Sequence, residues 1–227
     1  GLAEGAMGMP PSMAVVSGVD ERFDDAPYVN QLFLGSAGGP ASPEADGWPT
    51  YLLPVCASLV YKDSVEVDEQ RYPIHVFEQR LLPDTEGSGR RRGGLGCRVS
   101  YGPKAGPVTI AYSVEAHHNP PRGVRGGHDG QPTNVWKQDA RGERVEVPLV
   151  GAIELAPGER IVSISSGGGG YGNPLERAPA LVLADVLEGW VSRERALAVY
   201  GVVIGGDDTV DEQATTERRE ATRAADR

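Results

Sequence analysis

Short runs of alternating apolar and polar residues recur along the chain, the period-2 pattern of half-buried strands. They fall at Val65 to Leu82 (VEVDEQRYPIHVFEQRLL), Pro107 to Ala116 (PVTIAYSVEA) and Arg144 to Leu155 (RVEVPLVGAIEL), each predicted as antiparallel strand. Between them, Gly87 to Gly96 (GSGRRRGGLG) and Asn119 to Pro132 (NPPRGVRGGHDGQP) concentrate Gly and Pro and predict loops on a functional face. The period changes near the end. Leu183/Leu187 and Val182/Val186/Trp190 are four apart, a helical stripe that Gly189 stops. Ser192 then N-caps a second short helix that ends at Gly201, completing an αα-hairpin. Beyond Gly206 the chain is polar, and a frayed helix or disorder is expected there. The predicted architecture is α+β, predominantly antiparallel β with long Gly/Pro-rich loops. It divides into a β-rich domain at 1–174, a helical hairpin at 175–205 packed on it, and the tail at 206–227.

The 31 glycines and 18 prolines in 227 residues agree with many short segments rather than long helices. A formal charge of -10 opposes contact with phosphate backbones, so nucleic acid is excluded as a partner and a helix-turn-helix reading of the hairpin is disfavoured. No stretch approaches the roughly 18–20 apolar residues of a membrane span. The opening GLAEGAMGMPPSM lacks the basic and apolar regions of a signal peptide. The two cysteines, Cys56 and Cys97, lack the spacing of a zinc site and are expected to be buried, reduced thiols in a cytoplasmic protein.

Four histidines, His75, His117, His118 and His128, are scattered, so the chain is expected to hold no metal ion by itself. The best acid–base candidate is His128 with its neighbour Asp129, where a carboxylate can orient an imidazole; a solvated turn is the plainer alternative. Arg90 to Arg92, set between glycines, can clamp a phosphate or carboxylate, although such runs are more often solvated turns. Asp46-Gly47 reads as a turn, and Asp46 stands with His128 and Asp129 as a catalytic candidate. The run SSGGGGYGNP, Ser165 to Pro174, offers successive amides for an anion nest but lacks the endings of phosphate- and dinucleotide-binding loops. The plain alternative is a backbone that passes too close to another surface for a Cβ. Four glycines exceed what a turn needs, so at Gly167 to Gly170 either positive φ at several residues or an approach to a ligand or partner chain too close for a Cβ is expected, with amides aimed at an anion. Replacing Gly168 and Gly169 by Ala is then expected to lower turnover and leave the thermal midpoint nearly unchanged.

These elements, taken in order, resemble the hydantoinase B/oxoprolinase family. Ser165 to Ile204 is similar to that family's closing signature: a glycine run, Tyr-Gly-x-Pro, an Arg, an Asp-Val pair, a Gly, a Ser and Tyr-Gly-Val. Leu81 to Gly96 resembles its Asp-, Gly- and Arg-rich segment ending Arg-Gly-Gly-Leu-Gly. Asp46-Gly47, Val65 to Pro73, and Gly126-Gly127 to Gly130 are weaker echoes in collinear order. Asp84-Thr85-Glu86-Gly87 stands where the family usually reads Asp-Ser-Gly-Gly.

The resemblance implies the C-terminal portion of a B-type subunit, with the metal ligands in an N-terminal portion. It implies an A-type, actin-like ATPase partner that phosphorylates a small cyclic amide, after which the B-type component completes hydrolysis. ATP with Mg, and a divalent metal, are then expected in partner subunits. On that footing Arg90, Arg92 and the Gly167, Gly168, Gly169, Gly170 backbone contact the phosphorylated substrate or brace the site, and Gly126, Gly127 and Asp46 shape the cleft. A ketone carboxylase subunit, a non-catalytic scaffolding subunit and a free-standing binding module are the competing readings.

Overall fold

The computed structural model describes residues 2–6, 8–51 and 61–225. Among the described residues nine strands form two antiparallel sheets. The first, in the order β2-β1-β5-β8, comprises β1 (Val15–Asp20), β2 (Ala26–Gln31), β5 (Val108–Ser113) and β8 (Val150–Leu155). The second, in the order β3-β4-β9-β6-β7, comprises β3 (Ile74–Leu81), β4 (Cys97–Pro103), β6 (Asn134–Gln138), β7 (Arg144–Val145) and β9 (Arg160–Ile164). In β5 the alternation is direct: Val108, Ile110 and Tyr112 are buried while Thr109, Ala111 and Ser113 are not. Those side chains meet Val99, Tyr101, Val135 and Ile161 of the other sheet in one shared core.

Helix α1 (Val65–Arg71) corrects the first predicted strand, of which only Ile74–Leu81 is extended. Ser64 caps it by accepting from the Val67 amide, and Glu66 and Asp68 occupy a first turn that favours acidic groups. A three-residue Val-Glu-Val alternation cannot outweigh those signals. The third predicted strand is two: Arg144–Val145 pairs with β6 in one sheet and Val150–Leu155 with β5 in the other. Pro148, which fixes φ and lacks an amide proton, stands between them.

Helices α2 (Pro179–Leu187) and α3 (Arg193–Ala198) follow. Gly189 and Gly201 take φ of 70° and 62° at their stops, and Ser192 accepts from the Arg195 amide at 3.0 Å. Val182, Val191, Ala196, Tyr200 and Val202 build a second, smaller core. Leu187 is 59% exposed, so the buried stripe of α2 runs through Val182 and Asp185 instead of Leu183/Leu187. In the tail, where the sequence predicts a frayed helix or disorder, Glu212–Ala225 is a helix, α4. Polar side chains attach it. Thr215, which is buried, accepts from the Val203 amide at 3.0 Å, and Arg219 donates to the carbonyls of Tyr200 and Arg177 at 3.0 and 2.7 Å. Scarce apolar surface is therefore no measure of its attachment.

Candidate functional site

Four glycine-rich segments, near residues 35–39, 85–96, 123–131 and 165–172, run side by side with backbone packed on backbone. A Cβ at Gly167, Gly168, Gly169 or Gly170 would lie 1.7, 1.8, 2.1 or 2.2 Å from the carbonyl oxygen of Thr85, Gly39, Arg122 or Ser88. Crowding of this kind excludes every side chain, as at the axis of a collagen helix. None of the four glycines has φ in the left-handed region, so close approach, and not positive φ, explains the run. Their amides are also engaged. They donate to the carbonyls of Gln131, Gly94, Glu4 and His128 at 3.0, 3.0, 2.9 and 2.9 Å, so the expected anion nest has no amide left to offer.

A buried ionic cluster locks these layers to the hairpin. Arg177 is 1% exposed and grips Asp46 bidentately at 2.8 and 2.8 Å while reaching Asp185 at 2.8 Å. Arg92 donates to the other oxygen of Asp185 at 2.9 Å and stacks over Trp190 at 4.7 Å. The Arg92 amide closes the circuit onto Asp46 at 3.0 Å. Burial pushes the Asp46 carboxyl up, but the Arg177 guanidinium outweighs it and holds the group below the ordinary carboxylate range. Burial works against the Arg177 charge, yet Asp46 and Asp185 raise its pKa overall. Two arginines face two aspartates, so the cluster is neutral. Arg92 is thereby corrected from a phosphate clamp to a structural cation, and Asp46 is committed as its carboxylate partner rather than free in a cleft.

Asp84 and Glu86 attach the β-rich part to α3. Asp84, at φ of 61°, accepts from the Ser192 amide at 2.7 Å. Glu86 is buried and accepts from Arg195 at 2.7 Å and Tyr200 at 3.0 Å; its carboxyl pKa is raised, chiefly by burial. Thr85 donates to the Leu82 carbonyl and accepts from the Gly96 amide, which fixes the turn.

His128 stands exposed at the rim of the layers. Its Nδ1 lies 2.7 Å from the hydroxyl of the fully buried Ser88, whereas Asp129 accepts from the Gly123 amide. Ser88, not Asp129, orients the imidazole. Gly126 takes φ of 88° in the adjoining turn, and a Cβ on Gly127 would meet the Gly170 carbonyl at 2.3 Å. Arg90 projects over Tyr171 and donates to the Pro43 carbonyl at 3.2 Å, which leaves it the most accessible of the proposed cations. Arg177 and Asp185 were visible in the closing signature, but nothing in a linear sequence joins Arg177 to Asp46, 131 positions away. Ser88 and Glu86 carried no signal of their own. Cys97 is a buried free thiol, and Cys56 lies outside the described residues. Among the described residues no group of three or more His, Cys, Asp or Glu side chains could hold a metal ion, and no helix is long and apolar enough to cross a membrane.

The same Gly-rich layers and closing hairpin coincide with a known family. A family model described as hydantoinase B/oxoprolinase matches residues 3–174. The chain belongs to the hydantoinase B/oxoprolinase family. It is 32% identical over 216 residues to the caprolactamase subunit beta of Pseudomonas jessenii, covering 91% of this chain and 36% of that relative. The crystal structure of the ATP-dependent caprolactamase from the same organism superposes with a TM-score of 0.78 at 30% identity, over 96% of this chain and 38% of that one. A nucleotide-free structure of acetone carboxylase shares the fold, with a TM-score of 0.76 at 20% identity over 95% of this chain and 33% of that one. The chain therefore spans only about a third of the length of each of these relatives.

Proposed function

We propose that this chain is the C-terminal component of an ATP-dependent cyclic amide hydrolase of the hydantoinase/5-oxoprolinase type, acting on a substrate phosphorylated by an actin-like A-type subunit. The observation that carries this reading is the 32% identity to a caprolactamase beta subunit along 91% of the chain. ATP supplies the activation: phosphorylation of the amide oxygen makes an otherwise inert carbonyl carbon open to water. A divalent metal, where one is held by the N-terminal portion of the B-type subunit, would supply Lewis-acid assistance to hydrolysis. This chain's own part is to brace the assembled site, because its glycine layers and Arg–Asp cluster are internally satisfied and rigid. Arg90 and the exposed ring of His128 are the groups it presents outward. The acetone carboxylase likeness keeps a ketone carboxylase subunit as the second reading.

The test is reconstitution of the chain with an N-terminal B-type portion and an A-type ATPase. A stoichiometric complex should open a lactam or hydantoin ring only when ATP is present, and the chain alone should be inert. A complex that instead carboxylates acetone with bicarbonate would move the assignment to the second reading, and hydrolysis by the isolated chain would overturn the proposal.

A further inference from the structure

His128, held by the buried Ser88, borders a cleft of about 250 Å³ between the glycine layers and the helical hairpin. Pro174, Leu175, Ala198 and Val199 give it an apolar lining, and Asn173 and His128 supply polar groups. That volume falls below the roughly 300–1,000 Å³ of drug-sized sites, so it suits a ligand of only a few heavy atoms.

The His128 backbone is held by two hydrogen bonds and its ring by one. The His128 amide donates to the Ser88 carbonyl at 2.8 Å, the His128 carbonyl accepts from the Gly170 amide at 2.9 Å, and Nδ1 meets the Ser88 hydroxyl at 2.7 Å. Among the described residues that ring nitrogen is the hydroxyl's hydrogen-bond partner. Ser88 is fully buried, and a buried hydroxyl whose proton finds no acceptor costs about 1–3 kcal/mol. The hydroxyl therefore donates to Nδ1. This selects the tautomer that carries its proton on Nε2, so the exposed edge of the ring is a hydrogen-bond donor. The Asn173 side-chain carbonyl accepts from the Leu175 amide at 2.8 Å, which leaves its NH₂ as the group free to donate.

We infer that this cleft binds a small molecule through a carbonyl or carboxylate oxygen, held by the His128 Nε2–H and the Asn173 NH₂ above the apolar lining. The choice of ligand rests on the proposed function, within which two sources share this chemistry: the cyclic amide substrate and the amino acid released from it. His128 and Asn173 are binding residues here, and Ser88 is a positioning residue that acts through His128.

The experiment is a nitrogen-15 NMR titration of the chain itself, with the His128 ring assigned by comparison with His128→Gln. The free chain should show a bare Nδ1 and a protonated Nε2 at His128. Hydantoin and caprolactam form one titration series and their open-chain amino acids the other; the series that shifts His128 Nε2 and the Asn173 NH₂ saturably, at millimolar concentration, identifies the source. Ser88→Ala should mix the tautomers and weaken binding about tenfold, near 1.4 kcal/mol. A proton on Nδ1 in the free chain, or no shift of either group by both series at tens of millimolar, would overturn the inference. Because the titration needs neither partner nor ATP, a complex that fails to turn over would count against the proposed function and leave this site standing.

Discussion

Gly168→Ala tests whether the glycine layers are held by backbone contact or kept open for a ligand. The added Cβ would sit 1.8 Å from the Gly39 carbonyl oxygen, and real Cβ atoms essentially never come within 3.0 Å of such an atom. The two segments must therefore separate by about 1.2 Å. Gly39 cannot yield alone, because its amide donates to Trp48 at 2.8 Å and its carbonyl accepts from Gly94 at 2.8 Å. Overpacking of this kind costs about 1–3 kcal/mol, and disturbing two hydrogen bonds adds about 0.5–1.5 kcal/mol each. A loss of about 3 kcal/mol or more corresponds to a fall in Tm of about 6–12 °C for a chain of this size. Gly206→Ala is the control, since nothing lies within 4 Å of its Cβ and its φ is outside the left-handed region. It should be neutral or stabilise by about 0.4–1 kcal/mol. Calorimetry on both variants decides between the readings. If Gly168→Ala melts with the wild type and only turnover falls, the sequence-based expectation of a ligand-facing run was right and the packing argument is wrong.

Two further perturbations probe buried charge. Asp185→Ala strips Arg92 of its carboxylate partner and Arg177 of one of two, and should destabilise by about 3–5 kcal/mol in urea unfolding; a loss below about 1 kcal/mol would show that the guanidinium groups are solvated in solution. Burial, and then the charge of Asp63, push the Asp68 carboxyl up to about 6, so the folded state retains a proton that the unfolded chain gives up near pH 4. Stability contributed by that group is complete below pH about 4 and is lost as the pH rises to about 6. Asp68→Asn should therefore match the wild type in acid and become the more stable form by pH 7; a constant gap between the two melting curves would refute the shift.

Legibility followed how far each signal travels along the chain. The Val108, Ile110, Tyr112 alternation, the Ser192 N-cap and the Gly189 and Gly201 stops are local, and each can be read within a few residues. Strand β9 could not be read that way. It lies between β4 and β6, and Ile161, Val162 and Ser163 are buried consecutively, so its two faces carry no contrast. In β1 and β2, Gly18 and Pro27 interrupt the pattern of a strand pair at the edge of its sheet. Helix α4 is attached by a threonine and an arginine, residue types that mark a solvated face in any hydropathy reading. At the site, the sequence located the glycines without saying what excludes their side chains.

The glycine layers raise a problem that the ionic cluster resolves. Strand register is ordinarily fixed by which side chains face the core, and Gly-rich segments, having none, specify it weakly. A slip of one residue would preserve most amide–carbonyl pairing between such segments. Stability alone would not favour an ionic solution, because well-packed apolar residues usually serve as well as a buried ion pair. Directionality does favour it. Arg177 reaches both oxygens of Asp46 and also Asp185 only when the Asp46 loop, the Arg92 segment and the chain following Gly172 stand in one mutual register. The Arg92 amide on Asp46 and its side chain on Asp185 impose the same condition from the opposite side. Any slip would strand Arg92, Arg177 and Asp185 in the interior without their partners, at several kcal/mol per uncompensated charge. The cluster thus supplies, for the Asp46, Arg92 and Arg177 segments, the register that their glycines cannot encode.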